Sequence, residues 1–138
     1  MTDVARTAAE MITRMTPALQ AGDFVFLTTG DAGLAAGLAG VAVATFREDE
    51  GLSLVVPIEA ARRHGLPVDQ PMRRITLMVH SALDGVGLTA AVAAALAARN
   101  IPCNMIAAFH HDHVFVPSAL ADAALDTLRD LQQRGAGH

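Results

Sequence analysis

Three short stretches hold the side chains able to do chemistry. The first is His110-His111-Asp112-His113, imidazoles and a carboxylate in consecutive positions. Imidazole and carboxylate are good transition-metal ligands, and on a strand alternate residues such as His111 and His113 point the same way. A closed zinc site takes four ligands, however, and the chain has no HExxH helix and a single cysteine, Cys103. Histidine titrates near neutrality, so Asp112 beside an imidazole also has the makings of an acid–base pair. One reading is therefore a metal-dependent hydrolase or lyase using His111, Asp112 and His113. The other is polar contact with a ligand, or plain hairpin structure, with no metal.

The second stretch is Ser81-Ala82-Leu83-Asp84-Gly85-Val86-Gly87-Leu88-Thr89. It leads from a strand into a helix, and its glycines let backbone approach a ligand closely. Free N–H groups at such a helix start, with the helix dipole behind them, suit a carboxylate or other anion. The plainer alternative is that Asp84 caps the helix and the glycines make a tight turn. The third stretch, Glu48-Asp49-Glu50, offers oxygen ligands for an amino group or a divalent cation, or is simply a solvated turn. Ser53, just beyond it, has a hydroxyl to donate to a ligand carboxylate. Further nucleophile candidates are few, namely Ser81, Ser118 and Cys103, and none sits in a GxSxG elbow. Ser81 follows His80, but adjacent residues on a strand face opposite ways.

Composition narrows the classes. The chain has 138 residues, is 52% hydrophobic and carries a formal charge of -4. That size fits one compact body or two very small units sharing a core. The ten basic residues are all arginine and are scattered, whereas nucleic-acid binding needs clustered cations. With no lysine there is no Schiff base and no Walker-type phosphate loop, and no cofactor is called for. A single cysteine forms no internal disulfide. The segment from Met1 to Arg14 lacks the apolar core of a signal peptide, and no apolar run approaches the roughly 20 residues that span a bilayer. The expectation is a cytoplasmic protein with no membrane and no nucleic-acid partner.

The elements that must position these groups read as follows. Val4, Ala8, Met11, Ile12 and Met15 recur at helical spacing and predict an amphipathic helix ending before Pro17. Residues 23–29 (DFVFLTT) read as a strand. Residues 30–40 hold four glycines and read as a loop or a degenerate short helix. Strands follow at 41–46 and 52–56 around the acidic hairpin 47–51, and Pro57 opens a short helix ending near Gly65. In the second half, residues 74–80 form a strand with Ile75, Leu77 and Val79 on one face. Leu88, Ala91, Val92, Ala95 and Leu96 make one stripe of a helix. Residues 101–109 are a strand, 110–113 a tight connection and 114–116 another strand. The last helix buries Leu120, Ala123, Ala124, Leu128 and Leu131, and the tail from Gly135 frays.

The halves echo one another. Ala44-Thr45-Phe46-Arg47-Glu48-Asp49-Glu50 and Ala107-Ala108-Phe109-His110-His111-Asp112-His113 each lead into a strand, a proline (Pro57, Pro117) and a helix. Each half then reads β-α-β-β-α, dividing the chain at 1–70 and 71–138. The fold class is α+β, with antiparallel sheets covered by helices on one face.

The stretches 44–55, Ile75 to Leu77 with His80-Ser81, 86–90 and 111–116 resemble a family of small bacterial ACT-domain proteins of unassigned function, over nearly the whole chain. The resemblance implies tandem ferredoxin-like ACT units, similar to amino-acid-sensing ACT pairs. It implies a regulatory, small-molecule-binding protein, an amino acid as ligand, no catalysis, and a homodimer. The ligand would contact Ser81, Asp84, Gly85, Val86, Gly87, Leu88 and Thr89, the loop where ACT units hold it, with Asp112 near its amino group. Asn104, Glu50 and Ser53 complete the set that the resemblance implies. Three positions depart from the pattern: Gly51 follows the acid before Leu52, His113 stands where the sensors have tyrosine, and Phe109 keeps the ring of a family tyrosine without its hydroxyl. A structural subunit with no ligand stays open beside these readings.

Overall fold

Two β-hairpins, each fed by a preceding strand and helix, dominate the computed structural model, which describes residues 4, 5, 7–80 and 85–136. The chain packs as two units: Gly22–Met72, and Met1–Ala21 together with Arg73–His138. The first 21 residues go with the C-terminal half.

In the 22–72 unit, β2 (Phe24–Thr29) is followed by α2 (Ala32–Ala39), the hairpin β3 (Ala44–Glu48) and β4 (Gly51–Pro57), and α3 (Ile58–Arg63). β2 and β3 both pair antiparallel with β4, giving the order β3-β4-β2. Val25, Leu27, Leu52, Leu54 and Val56 lie on one sheet face by strand alternation. They pack with Leu38 of α2 and Ile58, Ala60 and Ala61 of α3 into one core. The glycine-rich stretch does form a helix. Asp31 caps it by accepting from the N–H groups of Gly33 (2.8 Å) and Leu34 (3.2 Å), and Leu38 is fully buried. Capping and burial thus offset the cost of two internal glycines.

The other unit repeats the pattern with β5 (Met72–Leu77), α4 (Leu88–Ala97), the hairpin β6 (Asn104–Ala107) and β7 (Asp112–Pro117), and α5 (Ala121–Ala136). Its strand order is β5-β7-β6. Two N-terminal elements complete it. One is the short helix α1 (Ala8–Arg14), capped by Thr7, which packs against α4 and α5. The other is a strand the alternation did not reveal, β1 (Pro17–Leu19), antiparallel to β5 with Leu19 opposite Ile75. Ile75, Leu77, Val114 and Val116 meet Met11 and Met15 of α1, Leu88, Val92 and Leu96 of α4, and Ala124 and Leu128 of α5 in a second core. Arg99, just past α4, ties it to α5 by donating to Thr127 Oγ1 and Asp130, both at 3.0 Å. Helix α5 runs past the expected end: Gly135 lies inside it, where a Cβ would come within 2.7 Å of Ile12 Cγ2.

Candidate functional site

The turn between β6 and β7 comes two residues earlier than its sequence predicts. Ala108 N–H donates to His111 O at 3.1 Å, and Asp112 and His113 already pair with Ala107 and Ile106. The connection is therefore 108–111, and Asp112 opens a strand instead of sitting in the turn. Alternation then decides where each polar residue goes. Asp112 shares a sheet face with Val114 and Val116, which point into the core under the helices. His113 falls on the opposite face, where its Nδ1 lies 3.1 Å from Thr76 Oγ1 on β5. The cluster that looked like a ligand set in sequence is split across the sheet. Among the described residues no group of three or more His, Cys, Asp or Glu side chains is placed to hold a metal ion.

Asp112 instead lines a cavity together with the start of α4. Gly85 to Ala90, Ala107, Ala108, Asp112 and Met11 line one cavity of about 470 Å³. Gly87 is the N-cap of α4 and has φ +112°, a left-handed conformation that disfavours any residue with a Cβ. A Cβ there would also come within 2.6 Å of Ala8 Cβ on α1. Ala8 and Met11 are neighbours on that helix, so the close approach at Gly87 brings Met11 to the cavity wall. The first hydrogen bond within α4 runs from Ala91 N–H to Gly87 O at 2.9 Å. The N–H groups of Leu88, Thr89 and Ala90 precede it and have no acceptor within the helix. Together with the dipole they present partial positive charge at the helix start. The cavity is thus lined by the residues of a helix start, by an acid and by hydrocarbon side chains.

The remaining expected residues lie as follows. Ser81 and Asp84 fall outside the described residues. Asn104 is exposed at the first position of β6, opposite Phe115. Glu50 and Ser53 belong to the β3–β4 hairpin of the 22–72 unit, where the Ser53 hydroxyl donates to Glu48 Oε1. The cavity is lined wholly within the unit that contains β7. Met11 was not among the expected site residues. Its place on the apolar stripe of α1 was legible, but its long-range partner was not.

Among the described residues, His113 and Cys103 are shifted by their surroundings. Burial holds the His113 imidazole below its ordinary range, helped by the charges of Arg74 and His111 and opposed by Asp112. Burial pushes the Cys103 thiol up, away from the reactive thiolate. On the hairpin tip Phe109 is 72% exposed and stacks edge-on with His110 at 5.2 Å, with His80 at 6.2 Å from both rings.

Comparison with known proteins places this geometry. One ACT-domain sequence profile matches residues 6–73 and a second matches residues 71–130. A Vibrio cholerae protein of unknown function, described as a possible transport protein, is 45% identical, with 88% of this chain and 92% of that one aligned and a TM-score of 0.77. The chain belongs to the ACT-domain family. It is a tandem ACT protein, two ferredoxin-like units in one polypeptide. An Agrobacterium tumefaciens protein shares the fold at 23% identity, covering 86% of this chain and 90% of its own, with a TM-score of 0.66. So does the ligand-free regulatory subunit of aspartate kinase from Thermus thermophilus, at 15% identity, 86% and 97% coverage and a TM-score of 0.54. A search of curated protein sequences found no match. In this ACT protein, no helix among the described residues is long and apolar enough to cross a membrane.

Proposed function

We propose that this protein is a non-catalytic regulatory module that binds a small zwitterion, an amino acid above all, in the cavity beside α4. The observation that carries the reading is that the Gly85–Ala90 segment and Asp112 line the same cavity. The carboxylate of the ligand rests on the amides at the α4 start, where partial positive charge is fixed in place. Its ammonium faces Asp112. The cavity has the volume of a small-molecule pocket. The fold shared with regulatory subunits of aspartate kinase supports a regulatory role. A ligand that binds two conformations or assembly states unequally shifts the balance between them by that difference. The reading includes a cytoplasmic homodimer as the assembly whose balance shifts.

Titration calorimetry with the common amino acids, on the wild type and on Asp112→Asn, tests it. At least one amino acid is expected to bind, and the substitution should weaken it by about 1.5–3 kcal/mol, the range for hydrogen bonds to a charged group. Binding that Asp112→Asn leaves untouched would remove the proposed geometry, and the absence of any binding would remove the function.

A further inference from the structure

We infer that the cavity selects an amino acid with an uncharged, apolar side chain of leucine, methionine or phenylalanine size; this rests on the amino-acid reading above. The composition of the wall sets this preference. Met11, Val86, Leu88, Ala90, Ala107 and Ala108 supply hydrocarbon, Thr89 is uncharged, and Asp112 is the one ionisable side chain among the described lining residues. Once the α-ammonium faces Asp112 and the α-carboxylate rests on the α4 amides, both charged ends of the zwitterion are matched. Among the described lining residues, the rest of the ligand meets mostly carbon.

Charged side chains fare badly against such a wall. An aspartate or glutamate ligand would add a second negative charge to a cavity whose described lining offers Asp112 and no cation. A lysine ligand would set two ammonium groups competing for one carboxylate. In either case the added charge finds no opposite partner among the described lining residues, whereas an apolar side chain gains contact with their hydrocarbon. Glycine fits electrostatically but leaves most of the roughly 470 Å³ without contact. Two details of the wall favour a large apolar group. Val86 is 79% exposed while it lines the cavity, so covering it removes apolar surface from water. Met11, unbranched and polarisable, adapts its packing to differently shaped hydrocarbon.

Calorimetry with L-leucine, L-methionine, L-phenylalanine, L-aspartate, L-lysine and glycine tests the inference on the full chain. The tightest of the first three is expected to bind at least about tenfold more tightly than any of the last three. Tightest binding by aspartate or lysine, still weakened in Asp112→Asn, would overturn the apolar selection and leave the zwitterion reading standing. Binding by none of the six would overturn the apolar selection, and binding by none of the common amino acids would overturn both. Ala107→Leu supplies the second arm, since Ala107 is exposed, lies opposite Asp112 and lines the cavity. Filling that space should weaken the preferred large ligand about tenfold and leave glycine unchanged, with the melting temperature confirming the fold. Equal loss for large and small ligands, or no loss, would overturn the assignment of the side-chain pocket.

Discussion

His113 shows how a single position on a strand fixes chemistry. Its neighbour Asp112 faces the helices, while His113 meets Thr76 on the other side and is held below the ordinary histidine range, chiefly by burial. The sign of its effect on stability follows. Above the ordinary value of about 6.5 the ring is neutral in both folded and unfolded chains and contributes no pH dependence. As pH falls below that value, the unfolded chain takes a proton that the folded one resists, so stability drops until the lower folded value is passed. Between about pH 7 and pH 5 the melting temperature of the wild type should therefore fall more than that of His113→Gln, in which position 113 no longer titrates. Parallel curves in scanning calorimetry would show that His113 does not couple to folding. The sequence placed Asp112 and the Gly85–Thr89 loop among the candidates, and they line one cavity. It could not separate Asp112 from its histidines, because the separation depends on where β7 begins, and a two-residue shift in a hairpin changes which residues lie in the turn and which on the strand.

At the level of elements, local patterning was legible wherever burial reinforced it. The stripe of Leu88, Val92 and Leu96 and the face of Ile75, Leu77 and Val79 are buried as their spacing requires. Two elements escaped for different reasons. β1 is three residues long and begins at Pro17, too short for alternation to register, and it exists because β5 offers it a ladder. α2 reads as a loop because glycine costs about 0.8–1.0 kcal/mol per site in a helix interior. What rescues it is not propensity. The Asp31 carboxylate accepts two orphan N–H groups, and Leu38 is fully buried. Such a helix should depend on its cap more than most. Asp31→Ala is expected to lower stability by about 1 kcal/mol in urea denaturation, and Asp31→Ser to recover most of that. If alanine and serine behave alike, the cap is not what holds the helix.

For the whole molecule, the packing units are not two consecutive lengths of chain. The 22–72 unit is set between two pieces of the other unit. The junction is close: Gln20 N–H donates to Arg74 O, and Arg73 Nη2 to Gln20 O, both at 2.8 Å. Continuing the β1–β5 register puts Ala21 opposite Arg73. Residues 1–21 joined to 73–138 through a two-residue Asn-Gly turn would therefore make a hairpin of those strands. That chain should unfold in one cooperative transition. A fragment of residues 71–138 should not, because it lacks Met11, Met15 and Leu19, which pack into its core. At about 1.5–3 kcal/mol per buried side chain this loss is about 5–9 kcal/mol, comparable with the entire stability of a small domain. Cooperative unfolding of the 71–138 fragment would show that the opening segment is dispensable.

The same connectivity dictates an order of events on the ribosome. Domains generally take shape as their residues emerge. The stretch that forms α1 and β1 emerges first, yet the strands and helices it packs against are made last. Until α5 is complete, Met11 and Met15 have no lasting shelter. A nascent chain stalled or cut short before that helix would display them to chaperones and proteases, while the 22–72 unit already holds every residue of its own core. Loss of α5 would thus be read by the cell at α1.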